Sequence, residues 1–312
     1  MMHLEHDNGE KIELWTIAVL EDNLAIACHS SLGACVSDPL FFSFESSRVT
    51  YTTLGQGRPL LLLHGSGPGA SSLGNWRTVM GRLAEHYTVH AMDLIGFGQS
   101  DRRPEPPYFD YAMWVRQAQA MLAQMGGDEP VGVIGHSLSG SIALTLASSN
   151  PRIAAVMTTG TMGADFAPND ATNRTWRCPR TRDELRAALG GLIYDNSLID
   201  DAYLAAREPV VFAPGYADYF DKMFEGDQRR YVRAAVLSEA TLKSVTCPVL
   251  MLHGRDDKAF PTESTLQIAG QLPQADVLLL SHCSHSVAFE HSETFLVNAK
   301  LFFDRAFRGY PQ

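Results

Sequence analysis

Residues 131–140 read VGVIGHSLSG, a run of β-branched and small residues that leads into a tight glycine-and-serine turn. Helix-forming residues follow at positions 142–147, so the stretch predicts a buried strand, a sharp turn and a helix. Ser137 occupies the corner, where its hydroxyl is pushed out of the sheet near the positive end of the following helix. Small neighbours are required because a large side chain would collide within the turn. The turn therefore predicts an exposed nucleophile.

The turn departs from the usual Gly-x-Ser-x-Gly pattern at one position, where Ser139 stands in place of the second glycine. Serine keeps that position small, and Gly140 follows directly. For this stretch alone, an ordinary glycine-rich turn at the start of a helix is the alternative, because short glycine and serine patterns also arise by chance. Residues elsewhere in the chain favour the nucleophile.

A serine nucleophile needs a histidine that takes its proton and a carboxylate that orients the histidine. Two further buried-strand patterns supply candidates: residues 248–253 (PVLMLH) are followed by GRDD, and residues 277–280 (VLLL) are followed by SHCSH. We predict Asp257 as the acid and His285 as the base. The order serine, acid, histidine, with each residue just beyond a strand, is typical of α/β-hydrolases.

Neighbouring residues offer alternatives for both roles. Asp256 is the first alternative for the acid, although capping of the turn also suits its side chain. Asp165, which follows the strand predicted near residues 154–159, is a second alternative. His282 is a weaker candidate for the base than His285, because it lies closer to the strand and is expected to face elsewhere.

Residues 59–70 (PLLLLHGSGPGA) predict a buried strand that runs into a glycine-rich loop. Such a loop can present backbone N–H groups to a developing oxyanion. We expect the N–H of Ser66 or Gly67, together with that of Leu138 just after the nucleophile, to form an oxyanion hole. A phosphate-binding loop is the alternative, but no Gly-Lys-Ser or Gly-Lys-Thr follows and the nucleotide-type glycine spacing is absent.

The composition suits a globular protein with a substantial core, since 45% of the 312 residues are hydrophobic and 19% are charged. The formal net charge of −10 disfavours nucleic acid and anionic membranes as partners. The expected partner is a small-molecule substrate, as the hydrolase interpretation implies. Five scattered cysteines show neither metal-ligand spacing nor a disulfide framework, so no metal site is expected. No leader-like or membrane-spanning stretch is evident, and the cytoplasm is the expected location.

Strand and helix patterns alternate from about residue 60 to 160 and again from about 248 to 308, which predicts a mostly parallel sheet covered by helices on both faces. The intervening region is helical, with stretches near Arg182–Leu189, Leu198–Arg207 and Asp227–Leu242. Because ligands of open α/β sheets bind beyond the carboxyl ends of the strands, we expect this region to close over Ser137. The predicted organisation is an N-terminal extension (1–40), an α/β core domain (41–160 and 247–312) and a helical cap (161–246).

These motifs resemble those of the meta-cleavage-product hydrolases, the carbon–carbon bond hydrolases of bacterial aromatic degradation. The resemblance rests on residues 64–70 (HGSGPGA) followed by Asn75, on residues 135–137 (GHS), on residues 254–257 (GRDD), and in the cap on residues 194–199 (YDNSLI) with Arg207 further on. It covers most of residues 45–308, and it implies an α/β-hydrolase fold with an inserted helical cap.

The substrate in that family is a 2-hydroxy-6-oxo-hexa-2,4-dienoate. The resemblance implies that Arg207 clamps its carboxylate, which the planar guanidinium matches, and that Asn75 bonds its oxo-enol end. Judged from the residues alone, Arg207 could be a solvated residue at a helix end, and Asn75 could cap the helix of Trp76. His136 and Ser286 are also expected to line the site, at positions where the family commonly has asparagine and tryptophan.

The implied reaction requires no metal or organic cofactor: the dienol ketonises, and Ser137 then attacks the distant ketone. Because His136 and Ser286 depart from the family pattern, the alternative is a carboxylesterase, or a related hydrolase of amide or vinylogous bonds, acting on a small carboxylate-bearing substrate. A non-catalytic small-molecule receptor is a third hypothesis, although a pure binder needs no activated nucleophile. The family's habit and the apolar segments near the N-terminus imply a homo-oligomer, a dimer or higher.

Overall fold

The computed structural model describes residues 39–308, and within them eight strands form one sheet. The strands are β1 (Leu40–Phe44), β2 (Ser47–Leu54), β3 (Arg58–Leu63), β4 (Tyr87–Met92), β5 (Val131–His136), β6 (Ile153–Thr159), β7 (Val249–Gly254) and β8 (Ala275–Leu280). Their order is β1-β2-β4-β3-β5-β6-β7-β8. β2 runs antiparallel to β1 and β4, and all other neighbours are parallel. This mostly parallel sheet confirms the predicted fold class, whereas the predicted extension at residues 1–40 lies almost wholly outside the described residues.

Helices connect the parallel strands, and a long helical insertion separates β6 from β7. The helices are α1 (Ser72–Trp76), α2 (Met80–Ala84), α3 (Tyr111–Gln124), α4 (Leu138–Ala147), α5 (Asp170–Thr175), α6 (Arg182–Gly190), a 3-10 helix (Asn196–Leu198), α7 (Asp201–Ala205), α8 (Glu208–Val211), α9 (Tyr216–Met223), α10 (Arg229–Ala234), α11 (Glu239–Lys243), α12 (Thr262–Ala269), α13 (Val287–Glu290) and α14 (Ser292–Phe307). Helices α5 to α11 make up the insertion, which follows the sixth strand. None of the helices in residues 39–308 is long and apolar enough to cross a membrane.

The leucine run of β3 shows how the sheet is covered on both faces. Leu61 and Leu63 belong to the apolar core that contains α3 and α4, while Leu60 and Leu62 belong to the core that contains α1, α2 and α14. All four side chains are fully buried. Because successive side chains of a strand point to opposite faces, an unbroken apolar run is buried throughout only when both faces are covered.

Two of the helical stretches predicted for the insertion are each divided in the structure. In Leu198–Arg207 the side chain of Asp200 accepts a backbone N–H at 2.7 Å and starts α7 as its N-cap. In Asp227–Leu242 the Leu237 N–H donates to a carbonyl of the β6–α5 connection at 2.8 Å, and Ser238 then caps α11. Helices are thus present near both predicted stretches, but each stretch is divided, because side-chain caps and a distant acceptor compete with the hydrogen bonds of a continuous helix.

Candidate active site

Ser137 lies on the turn between β5 and α4, as the strand–turn–helix pattern predicts. Its backbone has φ 56° and ψ −121°, a region that a residue with a side chain rarely adopts and that recurs at functional turns. Gly135 makes this turn possible, because a Cβ there would lie 2.3 Å from the carbonyl oxygen of Ser139. A Cβ at Gly140 would lie 2.7 Å from Thr161 Oγ1. The turn is therefore built for small residues around one strained serine.

Ser139, the departure from the usual pattern, has a contact that glycine could not make. Its hydroxyl donates to the carbonyl oxygen of His64 at 2.5 Å. Both residues are fully buried. Ser139 therefore connects the turn of Ser137 to the beginning of the loop after β3.

His64 holds that loop in place as a neutral ring. Its Nε2 accepts the Leu94 N–H at 2.9 Å, so Nδ1 carries the proton and donates to the Gly65 carbonyl at 2.6 Å. Burial lowers the pKa of His64, which keeps the ring uncharged. The loop packs closely on the nucleophile turn, because a Cβ at Gly65 would lie 3.1 Å from the Cβ of Ser137.

The three residues predicted to form the oxyanion hole lie around Ser137. Leu138 is the first residue of α4, and the first N–H groups of a helix have no acceptor within the helix. Ser66 and Gly67 line the same cavity as Ser137. The indole N–H of Trp176, from the insertion, donates to Ser66 Oγ at 3.2 Å and so anchors the loop from the opposite side.

Asp257 and His285 are in direct contact, with 2.7 Å between Asp257 Oδ2 and His285 Nδ1. Both side chains are almost completely buried, at 0% and 4% exposure. The other carboxylate oxygen, Oδ1, accepts the N–H groups of Ala259 and Phe260, each at 3.0 Å. The Phe260 ring stacks on the His285 ring with 4.3 Å between centroids. Backbone and ring together therefore fix the carboxylate and the imidazole relative to each other.

A second buried histidine, His253 near the end of β7, also contacts the carboxylate. Its Nε2 lies 3.2 Å from Asp257 Oδ2, and its Nδ1 lies 2.7 Å from Thr265 Oγ1. Burial by itself favours the neutral acid, but the adjacent His285 and the hydrogen bonds from both histidines outweigh it and hold the pKa of Asp257 well below its usual range. Asp257 is therefore a carboxylate at all ordinary pH values.

His136, directly before the nucleophile, is buried and neutral. Its Nδ1 lies 3.1 Å from the Thr159 carbonyl oxygen and 2.9 Å from Thr159 Oγ1. Since a carbonyl oxygen only accepts, this contact favours the tautomer with the proton on Nδ1 and a lone pair on Nε2. Burial, and then the neighbouring His285, lower the pKa of His136 well below its ordinary value. Its ring centroid lies 4.7 Å from that of His285.

A cavity of about 50 Å³ brings most of the predicted site residues together. Its wall contains Ser137, His285, His136, Ser66, Gly67, Asn75, Arg207 and Ser286, along with Gly65, Pro68, Ala70, Thr175, Leu185, Ala188, Leu189, Leu192 and Tyr203. Asp257 and Leu138 are not part of this wall. Asp257 is hydrogen-bonded to His285, and Leu138 directly follows Ser137 in the chain. One part of the wall is polar and the other, contributed by α6 and the residues after it, is apolar.

Arg207 reaches the cavity from the insertion, between α7 and α8. Its Nη2 donates to the Tyr203 hydroxyl at 2.7 Å and to the Gly74 carbonyl at 3.1 Å. Among residues 39–308, nothing accepts a hydrogen bond from its buried Nε and no carboxylate lies within 4.0 Å of it. A cation in such a place is typical of an anion-binding site. Arg207 is half-buried and also stands at a helix end, as the N-cap residue of α8.

The side chains offered as alternatives for the acid and the base lie away from this cavity. Asp165 forms an ion pair with Arg229 at 3.1 Å. His282 packs its ring on Tyr194, with centroids 5.4 Å apart. Asp256 follows β7 but forms no hydrogen bond or ion pair with His285, and its buried Oδ2 has no hydrogen-bond partner within the described residues.

Asn75 and Ser286 line the cavity from helix positions. Asn75 lies within α1, whose N-cap is Ser71, so the capping role considered for Asn75 is wrong. Ser286 is the N-cap residue of α13, and its backbone N–H is bonded to the insertion through Leu192 at 3.3 Å.

Three residues in contact with the site were not singled out from the sequence: Tyr203, His253 and Trp176. Tyr203 stands four positions before Arg207, a spacing that often brings two side chains together and could have indicated the pair. His253 stands four positions before Asp257, on the strand that carries the acid. Trp176 had no such signal, because it is 110 positions from Ser66, to which it is hydrogen-bonded.

Comparison with known proteins agrees with this fold. The family of the alpha/beta hydrolase fold matches residues 58–292. The 2-hydroxymuconate semialdehyde hydrolase of Pseudomonas sp. strain CF600 is 31% identical over 242 residues, covering 77% of this chain and 85% of that protein. The 2-hydroxy-6-oxo-2,4-heptadienoate hydrolase of Pseudomonas putida strain F1 is 30% identical over 244 residues, covering 78% of this chain and 88% of that protein.

Solved structures give the same result. A crystal structure of a meta-cleavage product hydrolase from Pseudomonas fluorescens IP01 superposes with a TM-score of 0.81 at 26% identity, over 87% of this chain and 98% of that one. The strained serine turn, the buried Asp–His pair and the cavity they share thus occur in a chain with close structural relatives. The chain belongs to the α/β-hydrolase fold family and, within it, to the meta-cleavage-product hydrolases.

Proposed function

We propose that this enzyme hydrolyses a carbon–carbon bond of a 2-hydroxy-6-oxo-hexa-2,4-dienoate-type ring-fission product in the degradation of aromatic compounds. The observation that carries the proposal is the position of Arg207, whose partly unpaired guanidinium shares one cavity with Ser137 and His285. A hydrolase of uncharged esters has no use for this cation, whereas the carboxylate of a dienoate matches it. The names of relatives that act on such dienoates point in the same direction.

In this proposal Ser137 is the nucleophile, His285 its base and Asp257 the acid that orients the base. Because Asp257 accepts the proton of His285 Nδ1, Nε2 is left with the lone pair that takes the serine proton. The N–H groups of Leu138 and of Ser66 or Gly67 stabilise the oxyanion.

The reaction then has two stages. First the dienol ketonises: the proton leaves the 2-hydroxyl, C5 gains a proton, and a carbonyl forms at C2. Ser137 Oγ next adds to the ketone at C6, and the tetrahedral intermediate collapses with cleavage of the C5–C6 bond. The electron pair released at C5 is accepted by the C2 carbonyl, which gives 2-hydroxy-penta-2,4-dienoate after protonation. Water, activated by His285, finally hydrolyses the acyl-serine.

The polar part of the cavity orients the dienoate. Arg207 binds the carboxylate, and Asn75 and Ser286 bond the oxo-enol end. His136 stands where the family commonly has asparagine, and the lone pair on its Nε2 makes it an acceptor for the 2-hydroxyl. The group attached to C6 then lies against the apolar wall formed by α6 and Leu192.

We further propose that residues 161–246 form a cap over a core domain made of residues 41–160 and 247–312. Support comes from the cavity wall, where α6, Tyr203 and Arg207 of the insertion face Ser137 and His285 of the core. Trp176 adds a hydrogen bond from the insertion to Ser66. Substrate binding and exclusion of water would thus depend on the same segment.

A panel of ring-fission dienoates with different C6 substituents tests the function. We expect the visible absorbance of at least one dienoate to disappear with turnover, and 2-hydroxy-penta-2,4-dienoate to form in equal amount. Hydrolysis of short carboxylic esters without turnover of any dienoate would favour the esterase. A protein inert to both, yet stabilised by dienoates, would favour a receptor.

Replacement of Arg207 should separate dienoate from ester chemistry. We expect Arg207→Ala to lower kcat/KM for the dienoate about 10²-fold, because hydrogen bonds to charged groups contribute about 1.5–3 kcal/mol and each ~1.4 kcal/mol is tenfold. Turnover of an uncharged ester should change little. Arg77→Ala is the matched control, since Arg77 also stacks on Tyr203, at 4.9 Å, but does not line the cavity. Equal losses for both substrates would show that Arg207 is structural.

A cytoplasmic location and a homo-oligomeric assembly stay predictions. Fractionation of the source cells would test the first, and light scattering of the purified full chain the second. A monomer at micromolar concentration would contradict the expected assembly.

A further inference from the structure

Glu290, at the end of α13, holds a carboxylate among backbone N–H groups rather than beside a cation. Its Oε1 accepts the N–H of Ser284 at 3.0 Å and that of Ser286 at 3.3 Å. Its Oε2 accepts the N–H of Tyr194, in the insertion, at 2.6 Å. None of the lysine or arginine ion pairs found in residues 39–308 includes Glu290. Charge-assisted hydrogen bonds of this kind are strong and directional.

The three donors identify what the carboxylate holds. Ser284 and Ser286 flank His285, so two of the hydrogen bonds grip the loop on either side of the base. The third donor, Tyr194, belongs to the segment that follows α6 in the insertion. One side chain therefore connects the loop of the base to the segment that closes the cavity.

A second set of hydrogen bonds joins the same two segments. The N–H groups of His285 and Ser286 donate to the Leu192 carbonyl oxygen at 3.1 and 3.3 Å. Leu192 itself lines the cavity. All three N–H groups of residues 284–286 thus donate to Glu290 or to Leu192.

We propose that Glu290 is a positioning residue, which fixes the loop of His285 and couples it to the segment at residues 192–194. The proposal rests on the proposed role of His285 as the base. The same carboxylate bonds both segments. Closure of the insertion is therefore coupled to the alignment of the His285 imidazole with Ser137. A displacement of about 1 Å at a reacting group can cost about 10²-fold in rate, so loss of this clamp acts mainly on kcat.

Two substitutions of Glu290 distinguish its bonds to the loop of His285 from its bond to Tyr194. In Glu290→Gln the amide oxygen can replace Oε1 and keep both bonds to the base loop, while the NH₂ group meets the Tyr194 N–H and loses that bond. In Glu290→Ala all three backbone bonds are lost, together with the contact between the Cys283 thiol and Oε1 at 3.9 Å. Glu293→Gln is the matched control, because Glu293 carries the same charge on the next helix, with its side chain 72% exposed and paired only with Arg82 among the described residues.

The experiment measures kcat and KM on the dienoate and on a p-nitrophenyl ester, together with the downfield proton signal of the His285–Asp257 hydrogen bond. We expect Glu290→Ala to lower kcat about 10²-fold and to shift or broaden that signal. Glu290→Gln should restore kcat to within about threefold of the wild type and raise KM instead, and Glu293→Gln should change neither. Turnover of the ester and the proton signal can both be measured without carbon–carbon bond cleavage. The test of Glu290 is therefore independent of that reaction.

Three results would overturn the role of Glu290. The first is a wild-type kcat and proton signal in Glu290→Ala, and the second is an equal loss in Glu293→Gln. The third is a large loss of kcat with an unchanged KM in Glu290→Gln. This third result can be measured even if the alanine variant fails to fold. Absence of dienoate turnover in the wild type, with the ester results as expected, would count against the proposed substrate and leave Glu290 supported.

Discussion

Replacement of Ser137 by alanine is expected to lower kcat by about 10⁵–10⁶-fold on the dienoate and on esters alike, because both reactions begin with attack by the same oxygen. The other two serine hydroxyls at the turn and the start of α4 already donate to backbone carbonyls. Ser139 donates to the His64 carbonyl at 2.5 Å, and Ser141 donates to the Leu138 carbonyl at 2.8 Å. Single-turnover assays with excess enzyme, followed by the dienoate absorbance, measure the loss.

Ser141→Ala is the matched control for that prediction. It removes a fully buried hydroxyl four positions after Ser137, and this hydroxyl donates to the Leu138 carbonyl rather than lining the cavity. We expect its kcat to stay within about threefold of the wild type, since its effect falls on stability. A Ser137→Ala variant with a comparable small effect would contradict the nucleophile assignment.

Replacement of Asp257 by asparagine is expected to lower kcat by about 10⁴-fold, through the tautomer of His285. The N–H groups of Ala259 and Phe260 both point at Oδ1, so the amide oxygen of the asparagine must take that place. Its NH₂ group then faces His285 Nδ1. Because an NH₂ group only donates, Nδ1 must give up its own proton and become the acceptor. The proton of His285 is forced onto Nε2, and the imidazole can no longer take the proton of Ser137.

Asp256→Asn provides the comparison, because Asp256 is the neighbouring carboxylate and the first alternative for the acid. Its buried Oδ2 has no partner within the described residues, so we expect at most a severalfold change in kcat. A large loss in Asp256→Asn together with a small one in Asp257→Asn would reverse the assignment. Measurement of kcat at several pH values completes the test.

The low pKa of Asp257 decides how those pH profiles are interpreted. Burial favours the neutral acid, but the adjacent His285 and the hydrogen bonds from both histidines prevail and lower the pKa. The stability that ionised Asp257 contributes is present above the unfolded pKa of about 3.9, and it is lost only as the pH falls through the lower folded value. A loss of activity as the pH falls just below neutral therefore reflects protonation of a group other than Asp257.

Much of the fold could be predicted where residues close in the chain decide the conformation. The alternation of apolar runs and helical spacing predicted the parallel strands, and the glycines around Ser137 predicted the turn after β5. The prediction was less complete in the insertion, where the helical stretches near Leu198–Arg207 and Asp227–Leu242 are each divided by caps. Their helical spacing was present, but the hydrogen bond from Leu237 to a distant carbonyl has no signature in the local pattern.

By itself, the sequence determined the order of strands and helices, the choice of Ser137, Asp257 and His285, and the family. Each depends on residue type and spacing within a short stretch, which physical chemistry constrains directly. Only the tertiary structure decided that Ser139 bonds the loop after β3, that Tyr203 bonds Arg207 at the cavity, and that Glu290 joins the loop of His285 to the insertion. These are contacts between segments far apart in the chain, and such contacts depend on how the whole sheet and its helices pack.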